Sequence, residues 1–369
     1  MPDLWPFHPE DGVLEAFRWF TDVIRTSTTE DRYSLAEPRM SIGLSFVLTG
    51  EDFAKAAGLI EANPHGDWYL PDWMGATISG AVTALDTTLT VNTDADYREG
   101  GLAVVWEAHD SFTLVTIASV GSGEITLTGA VGASYTSPVV APVLQAYAPN
   151  GIEITREYAN RVTASMRFHV RDTFSTESNP YATYDGLSVL TERSLAVSPI
   201  TGRIAQTVDL VDNGLGPVVV EPMRDVLETT YGFNFQDESI TAKMDRRKWL
   251  NALRGRDTPF WMSSGAREMI AQAPISSVDT TITVRPIFAT AAENVGQHLS
   301  IDGTIFREIT GAAEVGSDHV LTLDSAVGAD LTDPEIGILR KWRLDTDLIE
   351  VDHRGPRAFG AGTLKEVLE

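Results

Sequence analysis

The chain has 369 residues, no cysteine and 43% hydrophobic residues, and its 52 acidic against 28 basic side chains give a formal net charge of −24. That length holds two or three domains with real cores, while the charge argues against nucleic acid and anionic membranes, because such binding rests on Lys and Arg displacing counterions. The absence of cysteine excludes disulfides and thiolate metal sites.

The start, Met1-Pro2-Asp3-Leu4-Trp5-Pro6, lacks the basic and apolar regions of a signal peptide. No apolar run approaches the roughly 20 residues of a membrane span. The expectation is a protein made and used in soluble form, without membrane insertion. Residues 12–25 read as a helix, since Leu14, Phe17, Phe20, Val23 and Ile24 recur at three- and four-residue steps. Residues 28–39 read as a charged connector ending at Pro38. Ile42, Leu44, Phe46 and Leu48 then alternate as a strand. Glu51 to Ala62 returns to helical spacing, with Phe53, Ala56, Ala57 and Ile60 inward and Asn63-Pro64-His65-Gly66 as its stop. Short strands follow at Thr88 to Val91, Leu102 to Glu107, Phe112 to Ala118, Ile125 to Leu127 and Val139 to Val143. Turn residues separate them, which suggests a small five- or six-stranded barrel or sandwich. Val162 to Val170 alternates cleanly. Residues 172–225 form a connector with strands at Leu187 to Leu190 and Ala205 to Val211, turns at Asn213-Gly214 and Gly216-Pro217, and a polar loop over Ser175 to Asp185. Beyond it, Tyr231 to Phe235 reads as a strand and Met244 to Leu253 as a helix, with Trp249, Leu250 and Leu253 inward and Gly255 as its stop. Leu299 to Ile309 reads as a hairpin turning at Asp302-Gly303.

The two halves share landmarks in one order. Gly66-Asp67-Trp68-Tyr69-Leu70-Pro71-Asp72-Trp73 is matched by Asp257 to Gly265, with Trp68 and Trp261 lying 193 residues apart. Asp86-Thr87-Thr88-Leu89-Thr90-Val91 falls on Asp279-Thr280-Thr281-Ile282-Thr283-Val284 at that same offset. Leu127 to Ala133 then matches Leu323 to Ala329, Pro138 matches Pro334, and Ile152-Glu153-Ile154 matches Ile349-Glu350-Val351. These matches predict a tandem duplication. Each copy would be a sheet-plus-helix domain with a small β unit inserted into it, within a mainly β, α+β class.

Evidence for catalysis is thin. Seven histidines, His8, His65, His109, His169, His298, His319 and His353, include no pair at the helical zinc spacing. Gly121-Ser122-Gly123 lacks the further glycine and helix of a phosphate cradle, and no G-x-S-x-G elbow occurs. Asp67, Asp72 and Glu107 lie near aromatics as a possible carboxylate pair. However, the positions matching Asp67 and Asp72 in the second copy, Phe260 and Gly265, carry no carboxylate. Trp68, Tyr69, Trp73, Phe260 and Trp261 are either core plugs where helix passes into β unit or glycan-stacking platforms. No cofactor or metal is expected.

Three stretches carry a resemblance: Phe17-Arg18-Trp19-Phe20-Thr21-Asp22-Val23-Ile24, Glu30 to Arg39, and Phe260-Trp261-Met262-Ser263-Ser264 after Leu250-Asn251-Ala252-Leu253-Arg254-Gly255-Arg256. With the small β unit that follows, they resemble tail proteins of long-tailed bacteriophages and phage-like gene transfer agents. Asn63-Pro64-His65-Gly66 stands in the first copy where the second has Arg254-Gly255-Arg256. The resemblance implies a non-enzymatic distal tail or baseplate protein of the virion. It implies tail-tube-like β-sandwich-plus-helix domains over 1–73 plus 147–235 (with the connector) and 236–266 plus 343–369, and small β-barrels inserted over 74–146 and 267–342. It further implies a homo-oligomeric ring, trimer or hexamer, contacting the tail tube protein, the baseplate hub and tail fibres, with DNA passing through the lumen without specific binding. A host-surface carbohydrate-binding adhesin is the alternative. Acidic side chains are then expected to line the lumen, and scarce basic ones such as Arg246, Arg247 and Lys248 to serve subunit contacts.

Overall fold

The computed structural model describes residues 3–10, 12–26, 28–63, 65–158, 160–172, 179–191, 201–212, 214, 216–263 and 267–367. Among the described residues the chain is mainly β strand with two α-helices. Its first half comprises β1 (Asp3–Leu4), β2 (Val13–Arg25), β3 (Glu30–Leu48), α1 (Gly50–Ala62), β4 (Asp67–Pro71), β5 (Thr77–Ile78) and β6 (Thr88–Thr90). Next come β7 (Leu102–Ala108), β8 (Ser111–Val120), β9 (Glu124–Leu127), β10 (Val139–Tyr147), β11 (Ile152–Tyr158) and β12 (Arg161–Val170). The remainder comprises β13 (Thr183–Tyr184), β14 (Leu187–Leu190), β15 (Gly202–Val211), β16 (Val219–Asp237), α2 (Ile240–Leu253), β17 (Phe260–Ser263) and β18 (Thr281–Val284). It closes with β19 (His298–Ile301), β20 (Ile305–Val315), β21 (Asp318–Leu323), β22 (Ile336–Leu344), β23 (Leu348–Arg354) and β24 (Arg357–Glu366).

Residues 12–25 are not a helix. Val13, Glu15, Phe17, Trp19 and Thr21 are all buried, which is the period-2 pattern of a strand. Two of those five positions are polar, so the alternation is invisible in hydrophobicity while an accidental helical spacing is visible. Glu15 is paired to Arg247, and the Thr21 hydroxyl donates to Asp347 Oδ1. The supposed connector 28–39 is likewise the outer part of β3, paired with β2 down to Arg25↔Glu30. Pro38 is accommodated because the register shifts there: Arg18 faces Arg39, but Phe20 faces Ala36. A bulge is one of the few places where a strand tolerates proline.

The other elements lie close to their expected positions. Thr49 caps α1 by accepting from the Asp52 N–H, and Ser239 caps α2 by accepting from the Ala242 N–H. Trp249, Leu250 and Leu253 of α2 are buried. Arg254 ends α2 in the left-handed region at φ 52°, and Gly255 follows at φ 71°, where a Cβ would meet Trp19 and Asp347 below 3 Å. The 299–309 hairpin turns at Asp302 and Gly303, both left-handed. Pro64, Asn213, Ser264 and Gly265, and residues 175–178 of the polar loop 175–185, lie outside the described residues.

The antiparallel pairings of the first half are β2 with β3, β3 with β12, β12 with β11 and β10, β10 with β4, β5 and β7, β7 with β8, β8 with β9, and β9 with β6. In the second half they are β13 with β14, β15 with β16, β16 with β24, β24 with β23 and β22, β22 with β17 and β19, β19 with β20, β20 with β21, and β21 with β18. A parallel strand flanks β4 and β17 alike, β1 in one case and β14 in the other. Among the described residues one antiparallel joint, β2 with β23, links the halves. The result is an eight-stranded antiparallel run in the order β11-β12-β3-β2-β23-β24-β16-β15. Its central core mixes residues of both halves, among them Phe17, Phe46, Phe168, Phe233, Trp249 and Ile349. Two smaller cores lie apart from it. One gathers Leu89, Val105, Ile117 and Ile125; the other gathers Ile282, Leu299, Ile309 and Leu321.

Candidate assembly surface

The five aromatics singled out in the sequence divide by strand face. Trp68 is 1% exposed and meets Trp5 edge-on at 5.3 Å in the central core. Phe260 is fully buried and meets Trp249 at 5.1 Å in that same core. Trp261 is 2% exposed but points the other way, against Tyr184 and His298, with Lys341 Nζ 4.8 Å from its ring centre. Tyr69, half-buried, packs on the Leu4, Val104 and Ala141 side of β4. In pairing terms Trp68 faces Ala146 while Phe260 faces Trp342, and Leu4 pairs Tyr69 while Val189 pairs Trp261. Phe260 therefore holds the place of Trp68, and Trp261 that of Tyr69. The sequence match of Trp68 to Trp261 is out by one residue, and on a strand one residue reverses the face. Trp73, half-buried in the 3-10 turn Trp73–Gly75, sits 4.6 Å from His8 and 5.4 Å from Trp106. His8 and Trp73 border a cleft of about 570 Å³ reached also by Lys243 and His353.

The carboxylates and arginines near this region are occupied with one another. Arg247 reaches from α2 to Glu15 of β2 and Asp72 ahead of the 3-10 turn, at 2.8 Å each, with all three side chains at 4% exposure or less. His353 Nε2 lies 3.0 Å from Glu15. Burial alone would push the Glu15 carboxyl up; Arg247 and His353 outweigh it and hold it below the usual carboxylate range. Arg246 pairs with Asp237 and lies over the rings of Phe235 and Trp249. Arg246 and Arg247, expected at subunit contacts, are thus interior, because three buried carboxylates, Asp237, Glu15 and Asp72, face α2 and need neutralising. Lys248 pairs with Asp245 one turn away on its own helix. Asp67 bonds Arg171, and Glu107 accepts from the Thr136 and Ser137 N–H groups. Asp67, Asp72 and Glu107 thus each have different partners.

A second charged joint ties the tip of the β2–β3 hairpin to the other half. Arg343, with no exposed side chain, donates to Glu30 and Asp345. Arg224 reaches the Thr29 carbonyl and also Glu228, which Lys365 contacts at 2.7 Å. Burial raises the Glu228 carboxyl, but Lys365 and Arg224 prevail and hold it at about 2.

The unsatisfied surface lies elsewhere. The outer part of the β15–β16 hairpin is exposed on both faces: Ile204 at 63%, Leu210 at 61%, Val219 at 57% and Met223 at 61%. A two-stranded ribbon with apolar residues in both phases has nothing to bury them against by itself. Among the described residues, β15 pairs only with β16, and β11 only with β12. Each therefore presents a row of backbone donors and acceptors. On β11, Ile154 is 50% and Tyr158 69% exposed. The sequence signal for this surface was present in Val208-Asp209-Leu210-Val211 and Val218-Val219-Val220, apolar in both strand phases around a Gly-rich turn. What this arrangement can do is associate through backbone edges and apolar faces.

Among the described residues no cluster of His, Asp or Glu could hold a metal ion, and no helix is long and apolar enough to cross a membrane. No protein-family model and no curated protein sequence matches the chain.

Proposed function

We propose that the protein is a structural component of a phage-type tail tip, a distal tail or baseplate protein that forms a ring between the tail tube and the hub and fibres. The observation that carries this reading is the eight-stranded run that, among the described residues, ends in two open edges, β11 and β15. Two four-strand units in matching order read as a tandem duplication, each copy carrying one of the two small β units as an inserted barrel. A surface whose two ends differ makes head-to-tail contacts, and such contacts generate closed rings when the rotation closes. The exposed apolar ribbon of β15–β16 supports association, since monomers seldom leave such a face to water. The excess of carboxylates suits a lumen through which DNA passes without adhering. Of the five aromatics on which a carbohydrate platform would rest, Trp68, Phe260 and Trp261 are buried and Tyr69 and Trp73 half-buried; stacking on a sugar needs an open ring face, so assembly is the better-supported reading.

The test is the assembly state of the purified chain, alone and with a tail tube protein, by sedimentation and electron microscopy. Rings of one defined stoichiometry are expected. A single monomeric species at all concentrations, with and without the tube protein, would overturn the proposal.

A further inference from the structure

The joint between the halves also specifies how one chain meets the next. At that joint β2 pairs antiparallel with β23: Glu15 faces Val351, Ala16 faces Glu350 and Phe17 faces Ile349. Phe17 is 1% exposed and Ile349 fully buried there. The strands equivalent to these two are the open ones. Gly202, Arg203 and Ile204 of β15 face Tyr231, Thr230 and Thr229, as Glu15, Ala16 and Phe17 of β2 face Ile42, Ser41 and Met40. Glu153, Ile154 and Thr155 of β11 face Ser165, Ala164 and Thr163, as Glu350, Val351 and Asp352 of β23 face Ala361, Gly360 and Phe359.

Resting on the ring reading above, we propose that β15 of one chain adds antiparallel to β11 of the next copy, in the register of β2 on β23. Ile204 then meets Ile152, Arg203 meets Glu153 and Gly202 meets Ile154. Each part of the transposition is chemically consistent. Ile204, 63% exposed in the single chain, takes the position that buries Phe17. Arg203 and Glu153, both exposed, become an opposite-charge cross-strand pair where the internal joint has Ala16 against Glu350. Gly202 adds no side chain, because the Tyr231 ring already occupies its Cβ position. The occupant is a second copy of this chain, since the complementary edge is the other end of the same sheet. Backbone hydrogen bonds supply the affinity, and the Arg203–Glu153 pair selects the register.

The absence of native cysteine makes the test direct. Neighbouring antiparallel pairs alternate between Cα separations of about 4.5 and 5.5 Å, both within disulfide reach. Chains carrying Ile204→Cys are mixed with chains carrying Ile152→Cys, and Arg203→Cys with Glu153→Cys, under mild oxidation. Covalent pairs holding one chain of each kind are expected. An Ile204→Cys chain mixed with an Arg156→Cys chain is four residues off register, about 13 Å along the strand, and should not link. Arg203→Glu should weaken self-association about tenfold, and adding Glu153→Arg should restore it, with unchanged circular dichroism throughout. If sedimentation shows assembly but the matched cysteines do not link, or Ile204→Cys chains link to each other instead, the edge assignment is wrong and the ring reading stands. If the chain never assembles, both fall.

Discussion

Replacing Arg247 by methionine isolates the energetics of the joint between the halves. The guanidinium is 4% exposed and is the shared cation for Glu15 and Asp72, at 2.8 Å from each. Methionine fills similar volume, so packing loss is small and the charge effect dominates. Removing one member of a buried pair leaves an uncompensated charge and costs about 3–5 kcal/mol. Here two carboxylates lose the same partner, so a loss at or above the top of that range is expected. Against a typical domain stability of about 5–15 kcal/mol, that is a third or more of the total. Urea unfolding followed by tryptophan fluorescence measures it. The pH dependence carries a definite sign. The folded Glu15 carboxyl titrates below its ordinary value, so its contribution is present above about pH 4.5 and is lost as pH falls through the folded value. Without Arg247 the buried Glu15 carboxylate is disfavoured, and the variant's deficit should be largest near pH 7 and shrink towards pH 4. The triple variant Glu15→Gln, Asp72→Asn, Arg247→Met should recover most of the loss, because no charge remains buried there. A loss below about 1 kcal/mol for the single variant, or a triple variant as unstable as the single one, would refute the reasoning.

Glu228→Gln should destabilise the hairpin joint at pH 7 and become neutral as pH falls from about 4.5 towards 2, since the depressed carboxyl at about 2 loses its contribution over that window; thermal unfolding at both ends checks it. Trp68→Ala and Phe260→Ala should each cost about 3–5 kcal/mol as large-to-small core changes, measured by urea unfolding, whereas Trp73→Ala, half-buried at the cleft, should cost clearly less. Leu210→Asp, at 61% exposure, should leave the unfolding midpoint of the dilute chain in place while lowering its self-association in sedimentation.

Patterning along the chain already determined much of this molecule. Clean alternation over Ile42 to Leu48 and Val162 to Val170 was enough to mark β3 and β12, because each has one apolar face and one polar face. The two α-helices were legible from helical spacing, and their caps, Thr49 and Ser239, stand where the side-chain chemistry requires. The landmarks shared by the two halves were legible because small β units repeat their turn residues. What the sequence hid were positions where tertiary contacts reverse the meaning of a residue type. Glu15 and Thr21 are buried because residues more than two hundred positions away satisfy them, Arg247 by neutralising the carboxylate and Asp347 by accepting from the hydroxyl, and that concealed strand β2 as a helix. Arg246 and Arg247 looked like surface charges until α2 was laid over Asp237, Glu15 and Asp72. Trp68 and Trp261 looked equivalent until strand pairing placed them on opposite faces, because register is fixed by partners and not by the identity of one side chain. The open edges of β11 and β15 could emerge only from the assembled sheet, since a strand has an edge only once its neighbours are known.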